Sequence, residues 1–447
     1  MKQYIWILLL LLTGCKKYLD QKPDAKLQLP TTVISVQGLL DNESTFNTVF
    51  PGSGEVSADN YYVTDATYNA TSSQPLKNTY IWGDDITGTD FPNGWSRCYD
   101  MVSICNVALE SLDKIAPGSN PAAWNNVKGS ALFLRSRAFL TVTGYFTKAY
   151  DAATAGNDMG IPLRLSSDYN VVSTRSSLQA GYDQVTGDLK TAAPLLPVTP
   201  VHVLRPSRPA AYALLARTYL LMNNYDSALA YANRCLALNS TLMNYNTLLS
   251  SAAYPFPLYN SEVIMHTIMS TPQILGNTRA IVDSALYKSY DASDLRKTLF
   301  FKANTNGTMA FRGSYNQSAA LFNGVATDEV YLVQAECLAR TGKLSEAMTA
   351  LNALLVTRWK TNSFIPFSAA DKKTALGIIL AERRKELLFR DLRWMDLKRL
   401  NRETDWQVTL RRKLNGVDYT LPPEDNRYAL PIPASVIAIS GMAQNPR

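Results

Sequence analysis

Two stretches of the chain repeat one interval, and that interval constrains the fold more than any other feature. In AAYALLARTYLLMNNYDSALAYANRCLALN, Ala216 and Ala228 lie twelve residues apart; in DEVYLVQAECLARTGKLSEAMTALNALLVTRW, Ala335 and Ala347 do the same. Tyr212, Ala216 and Tyr219 fall on one helical face, as do Tyr331, Ala335 and Leu338. Ala228 with Ala232, and Ala347 with Leu351, then mark a second helix in each stretch. A small side chain at both points lets two antiparallel helices approach closely. A helix pair of this kind cannot bury its apolar face alone and must stack on a neighbour.

The pattern is similar to the tetratricopeptide repeat, a helix–turn–helix unit of stacked arrays. Ser96–Ala149, with Ala131, Arg135, Ala138 and Tyr145, and the region Ala381–Arg399 read as weaker copies. Apolar residues recur at helical spacing over about 32–49, 95–116, 124–149, 177–194, 207–222, 225–239, 327–341, 345–358, 371–390 and 392–401. Long segments rich in Gly, Asn, Asp, Ser, Tyr and Trp separate these blocks, the largest at 51–94, 150–176 and 240–325. Segments of that length in a compact protein are usually functional. The expectation is an all-α fold, with a helical body of four split tetratricopeptide-like pairs and irregular insertions. The closing stretch YALPIPASVIAISGMAQNPR reads as an extended tail laid over that body.

The N-terminus, MKQYIWILLLLLTGC, has Lys2, an apolar run from Tyr4 to Leu12, and then small residues. The run is too short to span a bilayer and has the form of a secretory signal. Its end, Leu12-Thr13-Gly14-Cys15, is similar to a bacterial lipobox, in which the cysteine is acylated and becomes residue one. Two or three acyl chains on Cys15 give stable membrane attachment where one would be marginal. Residues 1–14 are therefore expected to be a lipoprotein signal and 15–31 a lipidated tether. A single helical domain follows over 32–447, with halves at about 32–240 and 241–447.

A hydrophobic content of 46% allows a sizeable core and excludes global disorder. The net charge is +7, or +6 once Lys2 is removed, and its bases are interleaved with acids. A nucleic-acid binder would gather them on one face, so no nucleic-acid partner is expected. Cys98 and Cys105, seven residues apart in a helical pattern, lie about 10 Å apart at Cα, beyond disulfide reach. With Cys235 and Cys337 they read as buried free thiols. The two histidines, His202 and His266, and the absence of CxxC give no zinc site. Motifs for nucleotide, serine-hydrolase, metalloprotease and calcium chemistry are absent. Neither a cofactor nor a metal is expected.

One stretch invites a chemical reading. AERRKELLFRDLRWMDLKRL, Ala381–Leu400, crowds charges around Phe389 and Trp394. On a continuous or slightly broken helix, Leu380, Leu387, Leu388, Leu392 and Met395 share one side. The charges are then expected on a solvated face, with Glu386 and Arg390 one turn apart. That reading requires no ligand.

The same stretch resembles the C-terminal signature of the RagB/SusD family of outer-membrane nutrient-binding lipoproteins, in Glu382, Arg383, Arg384, Glu386, Phe389, Arg393, Trp394, Asp396 and Arg399. Other landmarks agree: Tyr18-Leu19-Asp20 and Pro23 after Cys15; Trp95, Tyr99 and Asn106 in WSRCYDMVSICNVAL; DEVYLVQAECLARTG; and LPIPASVIAISGMAQNP. The resemblance spans nearly the whole chain. It implies a cell-surface lipoprotein of the outer membrane that covers a TonB-dependent β-barrel transporter (SusC-like). Such a lipoprotein binds oligosaccharides, or peptides in some branches, hands them inward and does no chemistry. The signature is structural in that family. Lys16 and Lys17 depart from the acids that often follow the lipidated cysteine of surface lipoproteins.

A sugar site uses flat aromatic faces with a few polar groups for hydroxyls. The chain has 24 tyrosines. The candidates are Tyr62, Asp65, Tyr68, Tyr80, Trp82 and Asp84 in 51–94, and Tyr287, Tyr290, Arg312 and Tyr315 in 285–323. Packing in the core competes with ligand contact at Trp82 and at each tyrosine. Peptide capture on the same scaffold, or a surface glycosidase using paired acids such as Asp59, Asp65, Asp84, Asp85 and Asp90, is the alternative reading.

Overall fold

The computed structural model describes residues 30–88 and 92–447, so the signal stretch, Cys15 and most of the tether lie outside the described residues, as do Asp90 and Phe91. The principal helices are α1 (Val33–Leu40), α2 (Gly94–Leu112), α3 (Pro121–Phe146), α4 (Leu178–Leu195), α5 (Arg208–Leu221), α6 (Tyr225–Leu236), α7 (Thr327–Arg340), α8 (Leu344–Leu355), α9 (Lys372–Glu386) and α10 (Arg393–Leu400). Their starts follow local chemistry. Ser207 accepts from the Ala210 amide with Pro209 in the first turn, Asn224 accepts from Ser227, and Asp371 accepts from Thr374. Each cap satisfies an amide that the helix itself leaves unpaired. The tight turns inside the two repeat-like pairs use a left-handed residue, Asn223 (φ 55°) before α6 and Gly342 (φ 84°) before α8.

Ala216, Ala228, Ala335 and Ala347 are all fully buried, as the twelve-residue interval requires. The helices pack in sequence, α2 on α3, α3 on α4, α4 on α5 and α5 on α6. Although residues 237–326 separate α6 from α7 in sequence, the two pack together, so the row runs on through α7 to α8 and α9. The array is split in the chain yet continuous in space. α3, α5 and α7 are buried on almost every side and form its inner row. The four cysteines are buried and free, on α2, α6 and α7.

The segments between helices build a second hydrophobic core rich in rings, including Tyr61, Tyr80, Tyr245, Tyr290, Tyr315, Phe256, Phe300, Phe301, Phe311, Phe322 and Phe389. Short antiparallel pairs hold it: β1 (Tyr61–Tyr62) with β5 (Ile281–Val282), β4 (Val263–Met265) with β8 (Val325–Ala326), and β6 (Phe301–Ala303) with β7 (Met309–Phe311). Two further pairs join β2 (Met159–Pro162) with β3 (Arg175–Ser177), and β9 (Leu410–Leu414) with β10 (Val417–Leu421). The last is a hairpin closed by Asn415 and Gly416, both left-handed (φ 49° and 79°), as an Asn-Gly turn favours.

The stretch Ala381–Leu400 corrects one expectation. The helix breaks after Glu386, and Phe389 and Asp391 adopt left-handed backbone (φ 57° and 61°) before α10 begins. Its charges are not solvated: Glu382, Arg383, Glu386, Arg390, Asp391, Asp396, Lys398 and Arg399 are all buried. Arg390 reaches Asp328 at 2.8 Å and leaves Glu386, one turn away, to Arg358 and Arg296. Leu387, Leu388 and Leu392 are in the core, while Leu380 and Met395 are half-buried. The stretch lies between the two cores, where both its apolar and its charged sides meet protein.

Candidate functional site

Three features compete for a functional reading: the buried ion pairs of the signature, the aromatic segments, and the clefts at the surface. The ion pairs are architecture. Arg296 bonds Asp294, Glu382 and Glu386, and Arg358 bonds Glu386 and Glu262, at 2.5–2.9 Å with almost no exposure. Glu262, Asp328 and Glu386 bring carboxylate oxygens within 4.8 Å of one another, a spacing that could hold a metal. Arg358, Arg296 and Arg390 already meet that negative charge. Burial opposes ionisation of Glu386, yet Arg358 and Arg296 outweigh it and hold the group below the usual range. Farther along, Arg399 bonds Glu336 and Asp396 and so ties α10 to α7, and Arg383 bonds Asp396 and ties α9 to α10. Burial acts against the charge of Glu336, but Arg399 and Arg340 draw its carboxyl down to about 2.

The aromatic candidates divide sharply. Trp82 is buried, and its indole N–H donates to the Ser57 carbonyl at 2.9 Å while the Arg412 guanidinium stacks on the ring. Tyr80 is buried and its hydroxyl accepts from the Val63 amide. Tyr290 donates to the Lys385 carbonyl, and Tyr315 shares hydrogen bonds with Tyr245 and Glu262, both deep in the second core. These four rings offer no face to a ligand. A buried Tyr or Trp needs a partner for its polar tip, and each of these rings finds one brought from another part of the chain.

The other candidates reach the surface. Tyr62 is 37% exposed on β1. Its strand partner β5 leads into the short helix Ser284–Lys288 that carries half-buried Tyr287, packed edge-on against Phe301. The β1–β5 pairing therefore joins the two sequence regions. Tyr68, half-buried, lies against Tyr80 with Lys77 over its ring, and Asp65 accepts from the Asn415 amide at the tip of the β9–β10 hairpin. That hairpin adds half-buried Tyr419, which the sequence reading missed although Asn415-Gly416 between alternating residues is a hairpin signal. Asp84 lies apart, exposed and paired with Arg447. Arg312 is committed to the carbonyls of Ser250, Ala252 and Thr298 and acts as a staple. Tyr62, Asp65, Tyr68 and Tyr287, with Tyr419, are the members still open to a ligand.

Of the acids open to a glycosidase reading, the four among the described residues, Asp59, Asp65, Asp84 and Asp85, have other partners. Asp59 is bound by Arg393 and Arg384, which overcome its burial and hold it well below the usual range. Asp85 closes a turn onto the Thr87 and Gly88 amides. Burial pushes His266 down to about 4. Clefts elsewhere include one of about 350 Å³ beside α2, walled by Trp95, Tyr99, Tyr169 and Ile439. Among the described residues no helix is long and apolar enough to cross a membrane.

Comparison with known proteins fits this geometry. Residues 17–220 match a family model described as starch-binding associating with outer membrane, and residues 327–447 match the SusD family. None of the curated proteins matches. Among solved structures, a SusD superfamily protein of Bacteroides thetaiotaomicron is 21% identical, with TM-score 0.76 over 93% of this chain and 100% of that one. A putative sugar binding protein of Bacteroides vulgatus gives 20% and 0.77 over 94% and 99%. A SusD-like carbohydrate binding protein of the same species gives 17% and 0.70 over 92% and 97%. At these identities the structures speak for the fold, while the two family matches take in most of the sequence: the chain belongs to the SusD/RagB family.

Proposed function

We propose that this protein is a non-catalytic lipoprotein of the outer-membrane surface, anchored through Cys15, that binds oligosaccharides and passes them to a TonB-dependent β-barrel transporter. The observation that carries the sugar-binding reading is the β1–β5 pair, which sets the segment bearing Tyr62 and Tyr68 beside the one that leads to Tyr287, with Asp65 held to the hairpin, on a SusD-family scaffold. Half-exposed rings flanked by carboxylate and amide groups suit the apolar face and the hydroxyls of a pyranose. Relatives described as sugar- or carbohydrate-binding support the substrate class. The buried ion pairs supply rigidity and have no solvent access for chemistry.

A glycan array probed with the purified protein tests the substrate class, and binding to at least one oligosaccharide that Tyr62→Ala weakens is expected. Binding of peptides alone would transfer the reading to another nutrient, and cleavage of a bound oligosaccharide would end the non-catalytic one. Anchoring is checked by labelled fatty acid, which enters the wild type and not Cys15→Ala. Co-purification of a β-barrel transporter with the wild type checks the partner.

A further inference from the structure

The short helix Ser53–Ser57, which opens the 51–94 segment, is fastened to the signature turn by two buried carboxyls. Asp391 Oδ1 accepts from the Glu55 amide at 3.1 Å, and Glu55 Oε2 accepts from the Asp391 amide at 3.0 Å. Glu55 Oε1 also accepts from Asn60 at 2.8 Å. Both acids are buried, yet neither has an ion-pair partner among the described residues: Arg393 is spent on Asp59, Arg390 on Asp328 and Arg217 on Glu329. The neighbours facing this clasp are Tyr145 and Arg137 of α3, Cys98 of α2, Arg217 of α5, and Arg390, Arg393 and Asp59. Arg137 is turned to Thr267 and Asn323.

Hydrogen counting places a proton in this clasp. The Tyr145 hydroxyl meets two acceptors, the Pro51 carbonyl at 3.0 Å and Asp391 Oδ2. It carries one hydrogen. If it donated to Asp391, the buried Pro51 carbonyl would be left unsatisfied, a state that native interiors avoid. If it donates to Pro51, the hydrogen between Asp391 and Tyr145 must come from the carboxyl. Glu55 accepts from two donors, which favour its ionised form, but burial outweighs them, so Glu55 gives up its proton near neutral pH while Asp391 keeps its own.

We infer that Asp391 of the Glu55–Asp391 clasp keeps a proton in the folded protein, and that this makes the anchorage of the 51–94 segment weaken as pH rises. Burial, with the nearby Glu55 carboxyl, pushes Asp391 well above the usual carboxylate range, and burial pushes Glu55 up to about 7. The folded-state value of Asp391 is raised, so its favourable share of stability is complete below the unfolded value and declines as pH climbs toward the folded one. Asp391 shares the anchorage of the segment bearing Tyr62 and Tyr68 with Arg393 and Arg384 at Asp59, and its clasp makes the proposed ligand face pH-responsive without titrating it directly. The proton assignment itself holds whether or not sugar is the ligand.

Asp391→Asn keeps the acceptor, supplies a permanent N–H toward Tyr145 and suits left-handed backbone. Urea unfolding of the full soluble chain across about pH 5.5 to 8 should show the wild-type folding equilibrium constant falling about tenfold more per pH unit than that of Asp391→Asn, the mark of one retained proton. Difference infrared spectra at about pH 8, where Glu55 is ionised, should show a protonated-carboxyl carbonyl band in the wild type that Asp391→Asn lacks. Asp391→Gly, which also suits the backbone, gives the same two readouts if the amide variant does not fold. Equal pH slopes, or a band that survives both substitutions, would overturn the assignment.

Discussion

The two cores of this molecule are built on different principles. The helical array packs small and aliphatic side chains, with Ala216, Ala228, Ala335 and Ala347 at its close approaches. The second core packs rings, and nearly every buried tyrosine in it brings a hydroxyl to a named acceptor or donor. The contrast follows from the backbone. Helices satisfy their own amides and carbonyls, so their side chains need only fit. Irregular segments do not, and large amphipathic rings fill volume and supply the missing hydrogen bonds together. The buried ion pairs of Ala381–Leu400 run along the seam between the two.

Breaking the seam should cost most. Replacing Arg358 by Met leaves Glu262 and Glu386 each short of a charge partner inside the protein, and removing one member of a buried pair typically costs about 3–5 kcal/mol. Urea unfolding is expected to show that loss, and if the ring core is held by the seam, its near-ultraviolet dichroism should melt before the helical signal. A neighbouring seam pair sets the acid limit. The folded value of Glu336 is depressed, so its stabilising share is present above the unfolded value and is lost as pH falls from about 4.5 toward 2. Glu336→Gln should therefore be less stable at neutral pH and show a shallower loss in acid, read from urea midpoints at stepped pH.

Smaller effects separate the two cores themselves. Ala335→Leu overfills a close helix approach and should cost about 1–3 kcal/mol, whereas a Leu at a half-exposed array position should not. Tyr315→Phe leaves the ring in place but removes the bond to Glu262, a loss of about 1–3 kcal/mol that packing alone would not predict. Tyr62→Ala is the mildest for stability, within about 0.5 kcal/mol, while ligand affinity falls roughly fivefold, about 1 kcal/mol, by titration calorimetry.

The array was legible because its signal is periodic. Block 327–341 is α7 at Thr327–Arg340, and block 177–194 is α4 at Leu178–Leu195. The ring core was not, because Tyr80, Tyr290 and Tyr315, like Trp82 of the array core, sit in polar segments whose composition points to solvent. The partners that bury them, such as Arg412 on Trp82 and Glu262 at Tyr315, are hundreds or tens of residues away. Arg296 and Arg358 escaped notice for the same reason: their neighbours in sequence do not reveal that Glu382, Glu386 and Glu262 will meet them. Of the candidate site, the sequence points to two regions, but which of their rings reach the surface depends on contacts between them.

The packing of α6 on α7 closes residues 237–326 into one long loop. For a flexible loop, doubling its length adds only about 0.6 kcal/mol to the entropy of closure. The helix interface is thus nearly indifferent to how much chain it spans, provided the inserted chain finds its own packing, as 237–326 does against 51–94 and the signature turn in the ring core. In polymer terms the array is a clamp whose insert can lengthen or shorten while the helix contacts on either side stay the same.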